Sequence, residues 1–312
     1  MHHGQAKFVT IGDWVEQIAA QLEQAGLFYG HGTDNAVDEA VWLVLFALQA
    51  PLDGSFDRWQ DEVGQSQSKR IKALLQERLQ SRKPLAYLLG SAWFAGLEFL
   101  VNENVLVPRS PIAELVTDGF SPWLVSGQAY RVLDLCTGSG CIAIAAAVYS
   151  PQLQVDASDI SEPALAVARE NVQRHAVSER VRLIQSDLFA ALQGECYDLI
   201  VSNPPYVAVD PDHSLPDEYQ AEPALGLYSG SDGLDLCLSI MLQSPEHLAE
   251  RGILICEVGE SADRLSALLP QVPFLWLEFH AGGDGVFLLS REDLLNVSAT
   301  VTSLLEERKR VG

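Results

Sequence analysis

From Arg131 onward the chain repeats one pattern: a short apolar, β-branched run, a polar or glycine-rich break, then a helical segment. Runs of this kind fall at 131–136, 154–159, 181–186, 197–203 and 252–258, with helical stretches between them. Successive strands separated by a helix need crossover connections, so the pattern predicts an α/β fold built on a parallel sheet. Two further runs, 274–279 and 285–290, are joined only by Gly282-Gly283-Asp284 and their neighbours, too short for a crossover. These two are expected to pair as a hairpin, which leaves one strand antiparallel to the rest. Ligands of such sheets bind beyond the carboxyl ends of the strands. The residues that end each run are therefore the ones to examine.

The first run leads into Asp134-Leu135-Cys136-Thr137-Gly138-Ser139-Gly140-Cys141-Ile142-Ala143. A glycine-rich turn between strand and helix lets a ligand approach the backbone closely. Residues 138–143 also fit the dinucleotide pattern G-x-G-x-x-A. Asp159 ends the second run, where a carboxylate can accept hydrogen bonds from a ribose in either kind of site. Asp187 follows the third run, ahead of Leu188 and Phe189. Acids at successive strand ends, with Asp134 before the glycines, suit a cationic nucleoside better than a pyrophosphate. Taken singly, Asp134 or Asp187 could equally be a helix cap.

The fourth run ends in Asn203-Pro204-Pro205-Tyr206. Asn203 offers one carbonyl acceptor and one NH₂ donor. Each proline removes a backbone N–H, fixes its own φ and holds the preceding residue extended. The result is a stiff stretch of carbonyl oxygens beside an aromatic face. It suits a planar group bearing an NH₂, either a carboxamide or the exocyclic amine of a base. The plainer alternative is a proline-rich strand exit with a capping Asn.

The first part of the chain reads as helical. Apolar residues at 11, 14, 15, 18, 22 and 25 keep a helical period over 11–25. A turn-rich loop, 26–35, precedes a second apolar helix at 40–48, with Thr33, Asp34 or Asn35 as its cap. A third helix spans 68–81, with Ile71, Leu74, Leu75 and Leu79 on one face, and ends before Pro84. His31 reads as a loop or core histidine. Residues 93–100 and 104–107, with Asn102 between them, read as a β-hairpin. The expected organisation is a helical domain over 1–92, a hairpin linker over 93–110 and a catalytic domain over 111–312. The tail after 291 reads as helical at its start and frayed beyond.

The formal charge of −22 is uneven. Residues 1–92 hold 8 Lys and Arg against 11 Asp and Glu, whereas the rest holds 12 against 31. Between Arg182 and Arg251 there are twelve acids and no Lys or Arg, among them Asp210, Asp212, Asp217, Glu218 and Glu222. This zone is either solvated surface or a site mouth that attracts a basic partner. A nucleic-acid substrate would have to bind against its field. No run is long and apolar enough to span a bilayer, and the first residues lack a signal-peptide pattern. Five cysteines with no C-x-x-C pair suggest free thiols in a reducing compartment, and so the cytoplasm.

With these residues in view the chain resembles the class I S-adenosylmethionine-dependent methyltransferases. Among them it is similar to the enzymes that methylate the amide nitrogen of a protein glutamine. The stretch Val107-Pro108-Arg109-Ser110-Pro111-Ile112-Ala113-Glu114 departs from the Val-Pro-Arg-Pro-Asp-Thr-Glu of the release-factor branch. With Tyr29-Gly30-His31-Gly32-Thr33-Asp34-Asn35 it looks like the branch acting on large-subunit ribosomal protein L-three. The resemblance implies a seven-stranded Rossmann-like sheet behind a small helical substrate-recognition domain. It implies S-adenosylmethionine as cofactor, with Cys136, Thr137, Gly138, Ser139 and Gly140 along its methionine part. Asp159 then holds the ribose, Asp187 and Leu188 flank the adenine, and Asp134 and Asn203 border the same pocket. The catalytic set is Asn203, Pro204, Pro205 and Tyr206, with no metal and no general base. The partner so implied is a basic ribosomal protein, with no membrane and no direct nucleic-acid substrate. Release factors or a nucleic-acid amine stand as alternative substrates. An NAD-dependent oxidoreductase and a non-catalytic assembly factor are the readings from other classes.

Overall fold

The computed structural model describes residues 10–209, 215–280 and 282–311. The chain forms two compact units, one of residues up to 91 together with 215–221, the other of 92–214 and 222–312.

In the first unit α1 (Ile11–Gln24) starts at a reciprocal cap. Thr10 Oγ1 accepts from the Asp13 N–H at 3.1 Å and Asp13 Oδ2 accepts from the Thr10 N–H at 2.9 Å. Its apolar stripe buries Trp14, Val15, Ile18 and Leu22. The second helix, α2 (Ala36–Leu48), is capped by Asn35, one of the three residues expected there. It is apolar nearly all round and buried accordingly, the expected fate of a helix without a polar face. α3 (Gln65–Ser81) buries Ile71 and Leu75, and α4 (Leu85–Leu89) follows Pro84.

After α4 the chain forms a hairpin of β1 (Ser91–Phe94) and β2 (Leu97–Leu100). This corrects the expected hairpin of 93–100 with 104–107. The turn is Ala95-Gly96, at φ 49° and 74°, a two-residue loop with both centres left-handed. Asn102 forms only a local turn, its Oδ1 accepting from the Asn104 N–H at 2.9 Å. An alanine at a left-handed position carries no sequence signal, and that hid the true turn.

After α5 (Ile112–Thr117) come β3 (Tyr130–Leu135), α6 (Cys141–Tyr149), β4 (Leu153–Asp159), α7 (Glu162–Arg174), β5 (Val181–Gln185) and β6 (Tyr197–Ser202). The chain continues through α8 (Ala224–Leu227), α9 (Asp235–His247), β7 (Leu248–Glu257), α10 (Ala262–Leu268), β8 (Leu275–Trp276), β9 (Val286–Ser290) and α11 (Arg291–Val311). The seven strands from β3 on form one sheet in the order β5-β4-β3-β6-β7-β9-β8. Pairing is parallel except at β9, which runs antiparallel to both β7 and β8, as the short connection predicted. One face packs on α5 and α6 through Ile112, Val116, Ile142 and Ile144. The other packs on α9 and α11 through Leu238, Ile240, Leu294 and Val301. Burying each such side chain stabilises the fold by ~1.5–3 kcal/mol. α11 does not fray as expected: Leu294, Val297 and Val301 keep a helical stripe against that core, and the helix runs to Val311.

Candidate active site

The sheet reverses its order of growth between β3 and β6, because β4 and β5 lie to one side and β7 to the other. Ligands of open α/β sheets bind at such a switch point. The register pairs Leu135 with Ser202, so the glycine-rich turn and the Asn-Pro-Pro-Tyr stretch leave the sheet side by side. Ser202 Oγ donates to the Leu135 carbonyl at 2.6 Å and locks the two strand ends together.

On the β3 side the backbone turns through left-handed Cys136 (φ 63°), Gly138 (φ 55°) and Gly140 (φ 80°). The two glycines do different things. A Cβ on Gly138 would meet no protein atom within 4 Å, which leaves the backbone open to a ligand. A Cβ on Gly140 would meet Ile144 Cδ1 at 3.0 Å and Ala168 Cβ at 3.3 Å, so that glycine serves the packing of α6 on α7. Asp134 is fully buried; its Oδ2 accepts from Thr137 Oγ1 at 2.5 Å and the Ala143 N–H at 3.1 Å. Its Oδ1 has no partner among the described residues. Burial pushes the Asp134 carboxyl up to about 7, against the pull of those two hydrogen bonds.

Asp159, at the end of β4, accepts from the Gly138 N–H and from the Ser161 N–H, each at 2.9 Å. It therefore fixes the glycine turn and the start of α7 while staying half-exposed; burial still raises its pKa. The Ser186 N–H donates to the Asp159 carbonyl at 2.9 Å, which brings the end of β5 to the same edge. There Asp187 is exposed and Leu188 is half-buried in a left-handed conformation, φ 46°. Ser186 Oγ holds that turn by donating to the Leu188 carbonyl at 2.7 Å.

On the β6 side Pro204 and Pro205 are buried, and Asn203 and Tyr206 are half-buried. Tyr206 is gripped from several directions. Ser261 Oγ donates to its carbonyl at 3.2 Å, and its hydroxyl donates to Glu257 Oε1 at 3.1 Å. Gly259 lies so close to its ring that a Cβ there would sit 2.7 Å from Cε2. The chain beyond is pinned by the Val207 N–H, which donates to the Leu227 carbonyl at 2.8 Å.

Residues 120–215 match the family described as the methyltransferase small domain, and residues 13–90 match the PrmC N-terminal domain. The chain is 50% identical over 300 residues to the ribosomal protein uL3 glutamine methyltransferase of Xanthomonas campestris pv. campestris. That alignment covers 96% of this chain and 97% of the relative. The protein of the same description from Xylella fastidiosa strain Temecula1 is 50% identical over 299 residues, covering 96% of each chain. The chain belongs to the uL3 glutamine methyltransferase family.

The methyl donor of such an enzyme is S-adenosylmethionine, and the residues present fit it. Open space at Gly138, the unpartnered Oδ1 of Asp134 and carboxylates at the ends of successive strands suit a cationic nucleoside. The structure brings all the expected pocket residues to one edge of the sheet, from Asp187 and Leu188 through Asp159 and the glycine turn to Asn203.

Two groups that matter here were not singled out from the sequence. Asn171, fully buried in α7, donates to the Ser139 carbonyl at 3.0 Å and the Leu100 carbonyl at 2.9 Å, and accepts from the Leu100 N–H at 2.7 Å. It ties the glycine turn to β2, and its only trace in the sequence is an amide on the apolar side of a helix. Glu257 is the second, a buried acid at the end of β7.

The acidic zone needs correcting. Glu218 and Glu222 are buried, at 0% and 5% exposure, and belong to ion pairs rather than to an open site mouth. Within the first unit Arg82 Nη2 lies 2.9 Å from Glu218. Within the second Arg109 donates twice to Glu222, each bond 2.6 Å. Asp232 and Asp235 pair with Arg308, and Glu195 with Arg131 and Arg182. The zone lacks basic residues only along the chain; in space, arginines from outside it answer Glu195, Asp217, Glu218, Glu222, Asp232 and Asp235. Asp210 and Asp212 lie outside the described residues. His31, at 5% exposure, is a core histidine with its ring 4.6 Å from that of Tyr219.

Proposed function

We propose that this protein transfers a methyl group to the side-chain amide nitrogen of a glutamine in ribosomal protein uL3. The observation that carries the reading is the register placing Asn-Pro-Pro-Tyr beside the glycine turn at the switch point. When bound, S-adenosylmethionine supplies an electrophilic methyl group on a cationic sulfur. Cys136 to Gly140 hold its methionine part, Asp159 its ribose, and Asp187 with Leu188 its adenine. Asp134 sets negative charge behind the glycine turn.

An amide nitrogen is a poor nucleophile because its lone pair is delocalised into the carbonyl. The Asn203 Oδ1 and the Pro204 carbonyl each accept one amide hydrogen, which fixes the nitrogen and its plane. Orientation of this kind lowers a barrier by up to ~7–11 kcal/mol in favourable cases. As positive charge develops on the nitrogen, both acceptors bind it more tightly, so the transition state gains more than the ground state. Pro205 keeps the stretch rigid, and Tyr206 walls the amide plane. The methylated nitrogen is strongly acidic and sheds its proton to water, so these residues need supply no base. The helical unit recognises the protein substrate around the target glutamine. Free cysteines and a ribosomal substrate support action in the cytoplasm; among the described residues no helix is long and apolar enough to cross a membrane.

The test is incubation of the protein with S-adenosylmethionine and uL3 from cells lacking the enzyme, with a release factor as control substrate. Peptide mass spectrometry should find one added methyl on a uL3 glutamine. Methylation of the release factor alone, or of neither protein, would overturn the assignment.

A further inference from the structure

The carboxylate of Glu257 is 3% exposed and accepts from two hydroxyls at once. Tyr206 donates to Oε1 at 3.1 Å and Ser110 to Oε2 at 2.5 Å. Register explains the first contact: Ser202 pairs with Cys256, so Asn203 and Glu257 leave the sheet as neighbours. Ser110 comes from the segment before α5, where its Oγ also accepts from the Ile112 N–H at 3.2 Å. A buried acid is a costly way to fill space, because taking a carboxylate out of water is unfavourable. What a carboxylate does that neither an amide nor an apolar group can is accept from both hydroxyls together. A glutamine would offer one acceptor and one donor and force one hydroxyl to turn round.

We propose that Glu257 is a positioning residue for methyl transfer: accepting from Tyr206 and Ser110 together, its ionised carboxylate holds the tyrosine wall of the amide site in its working orientation. The inference rests on the glutamine-methylation reading and deepens it. Ser261 donates to the Tyr206 carbonyl, Gly233 packs close against that carbonyl and Gly259 against the ring, and the hydroxyl contact to Glu257 holds the ring's tip. Protonation would give Glu257 one donor and disturb that contact or the one to Ser110.

The surroundings place this change near neutrality. Burial pushes the carboxyl up to about 7; the bonds from Ser110 and Tyr206 and the charge of Arg109 pull the other way. Arg109 is itself committed to Glu222 through two bonds of 2.6 Å. Cys256, the adjacent residue on β7, keeps its proton because burial raises its thiol far above the usual range. Glu260 and Asp284, on the turns flanking Glu257, are exposed. The active form being the carboxylate, activity should rise with pH through this transition.

The experiment follows methyl transfer to uL3 by the full-length protein from about pH 6 to about pH 9, with kcat and KM resolved. The wild type should show an acidic limb with its midpoint near 7. Glu257→Gln should abolish the limb and lower kcat about tenfold at the alkaline end, with little change in the KM for S-adenosylmethionine. Ser110→Ala removes a bond that holds the pKa down, so its limb should move to higher pH. This variant carries the test if Glu257→Gln does not fold. In parallel, the Tyr206 ring signal in tyrosine-labelled protein, assigned with Tyr206→Phe, should titrate with the same midpoint without cofactor or substrate. That signal should not titrate in Glu257→Gln. A limb unchanged in both Glu257→Gln and Ser110→Ala overturns the role of Glu257, whereas an intact ring titration without uL3 methylation overturns only the substrate reading.

Discussion

In the helical unit Arg78 is only 1% exposed, yet its charge is answered on several sides. Its Nε donates to Glu39 at 2.7 Å, its Nη1 lies 3.6 Å from Glu218 and donates to the Arg82 carbonyl at 3.0 Å. In the sheet unit Asp134 and Glu257 are buried as deeply, but what they accept from is hydroxyls and one backbone N–H. Burial pushes both carboxyls up to about 7. A fully paired internal charge fixes how elements pack and does little else. A buried carboxylate held by neutral donors, with no cation paired to it, is poised to respond to a ligand or a proton, and such groups concentrate at sites. The pairing of each charge thus separates scaffold from machinery, and this contrast can be broken at several points.

The largest effect should come from the scaffold. Arg78→Met strands Glu39 in the interior and leaves Glu218 with Arg82 as its one arginine among the described residues, and breaking a buried pair in this way costs about 3–5 kcal/mol. Urea unfolding should show that loss in a transition assigned to the helical unit, while S-adenosylmethionine still binds with near wild-type affinity. Unfolding at the wild-type midpoint would mean that the buried network is dispensable.

Next comes the machinery. Asn203→Ala should lower the single-turnover rate about 10²–10³-fold, since in the proposed mechanism it removes one of the two acceptors that orient the nucleophile. S-adenosylmethionine affinity, measured by calorimetry on the same preparation, should fall far less. A variant that keeps most of its rate would remove Asn203 from the catalytic set.

A smaller effect is expected from proton linkage at Asp134. Its folded pKa, about 7, lies above its unfolded value, so the folded state binds a proton more tightly than the unfolded state. The stability linked to this proton is full below the unfolded pKa and is lost as pH rises towards 7. Asp134→Asn should flatten that slope, leaving the variant on the order of 1–3 kcal/mol better off, relative to wild type, at alkaline than at acid pH. Parallel wild-type and variant curves across the window would show that Asp134 titrates normally.

How far the sequence carried this contrast follows from the range of each contact. Strand ends were legible because a parallel sheet puts polar and glycine residues at the ends of apolar runs, and Gly138, Asp159 and Asn203 all stand there. The single antiparallel strand was legible because the five residues between the last two runs cannot make a crossover. The roles of Glu257 and Asn171 were not, since they meet Tyr206 and Leu100 across 51 and 71 residues of chain. The acidic zone misled for the same reason: Glu222 finds Arg109 across 113 residues, a distance that local charge counts ignore.

The smallest predicted effect separates two neighbours in that zone. Asp217 and Glu218 are adjacent in sequence and both face Arg82, at 3.4 Å and 2.9 Å. The Asp217 side chain is 64% exposed and that of Glu218 is 0% exposed. Glu218 also accepts from the Phe28 N–H at 3.1 Å and therefore anchors residues 215–221 within the helical unit. Exposed pairs contribute about 0.2–1 kcal/mol and are screened by salt. Asp217→Asn should leave stability almost unchanged and should lower kcat/KM for uL3 by less than about twofold, with a slightly shallower salt dependence. Glu218→Gln should instead lower the stability of the helical unit and do so at any ionic strength. If Asp217→Asn has the larger effect on kcat/KM and Glu218→Gln leaves stability intact, this stretch works as an electrostatic guide for a basic substrate, and its burial is incidental.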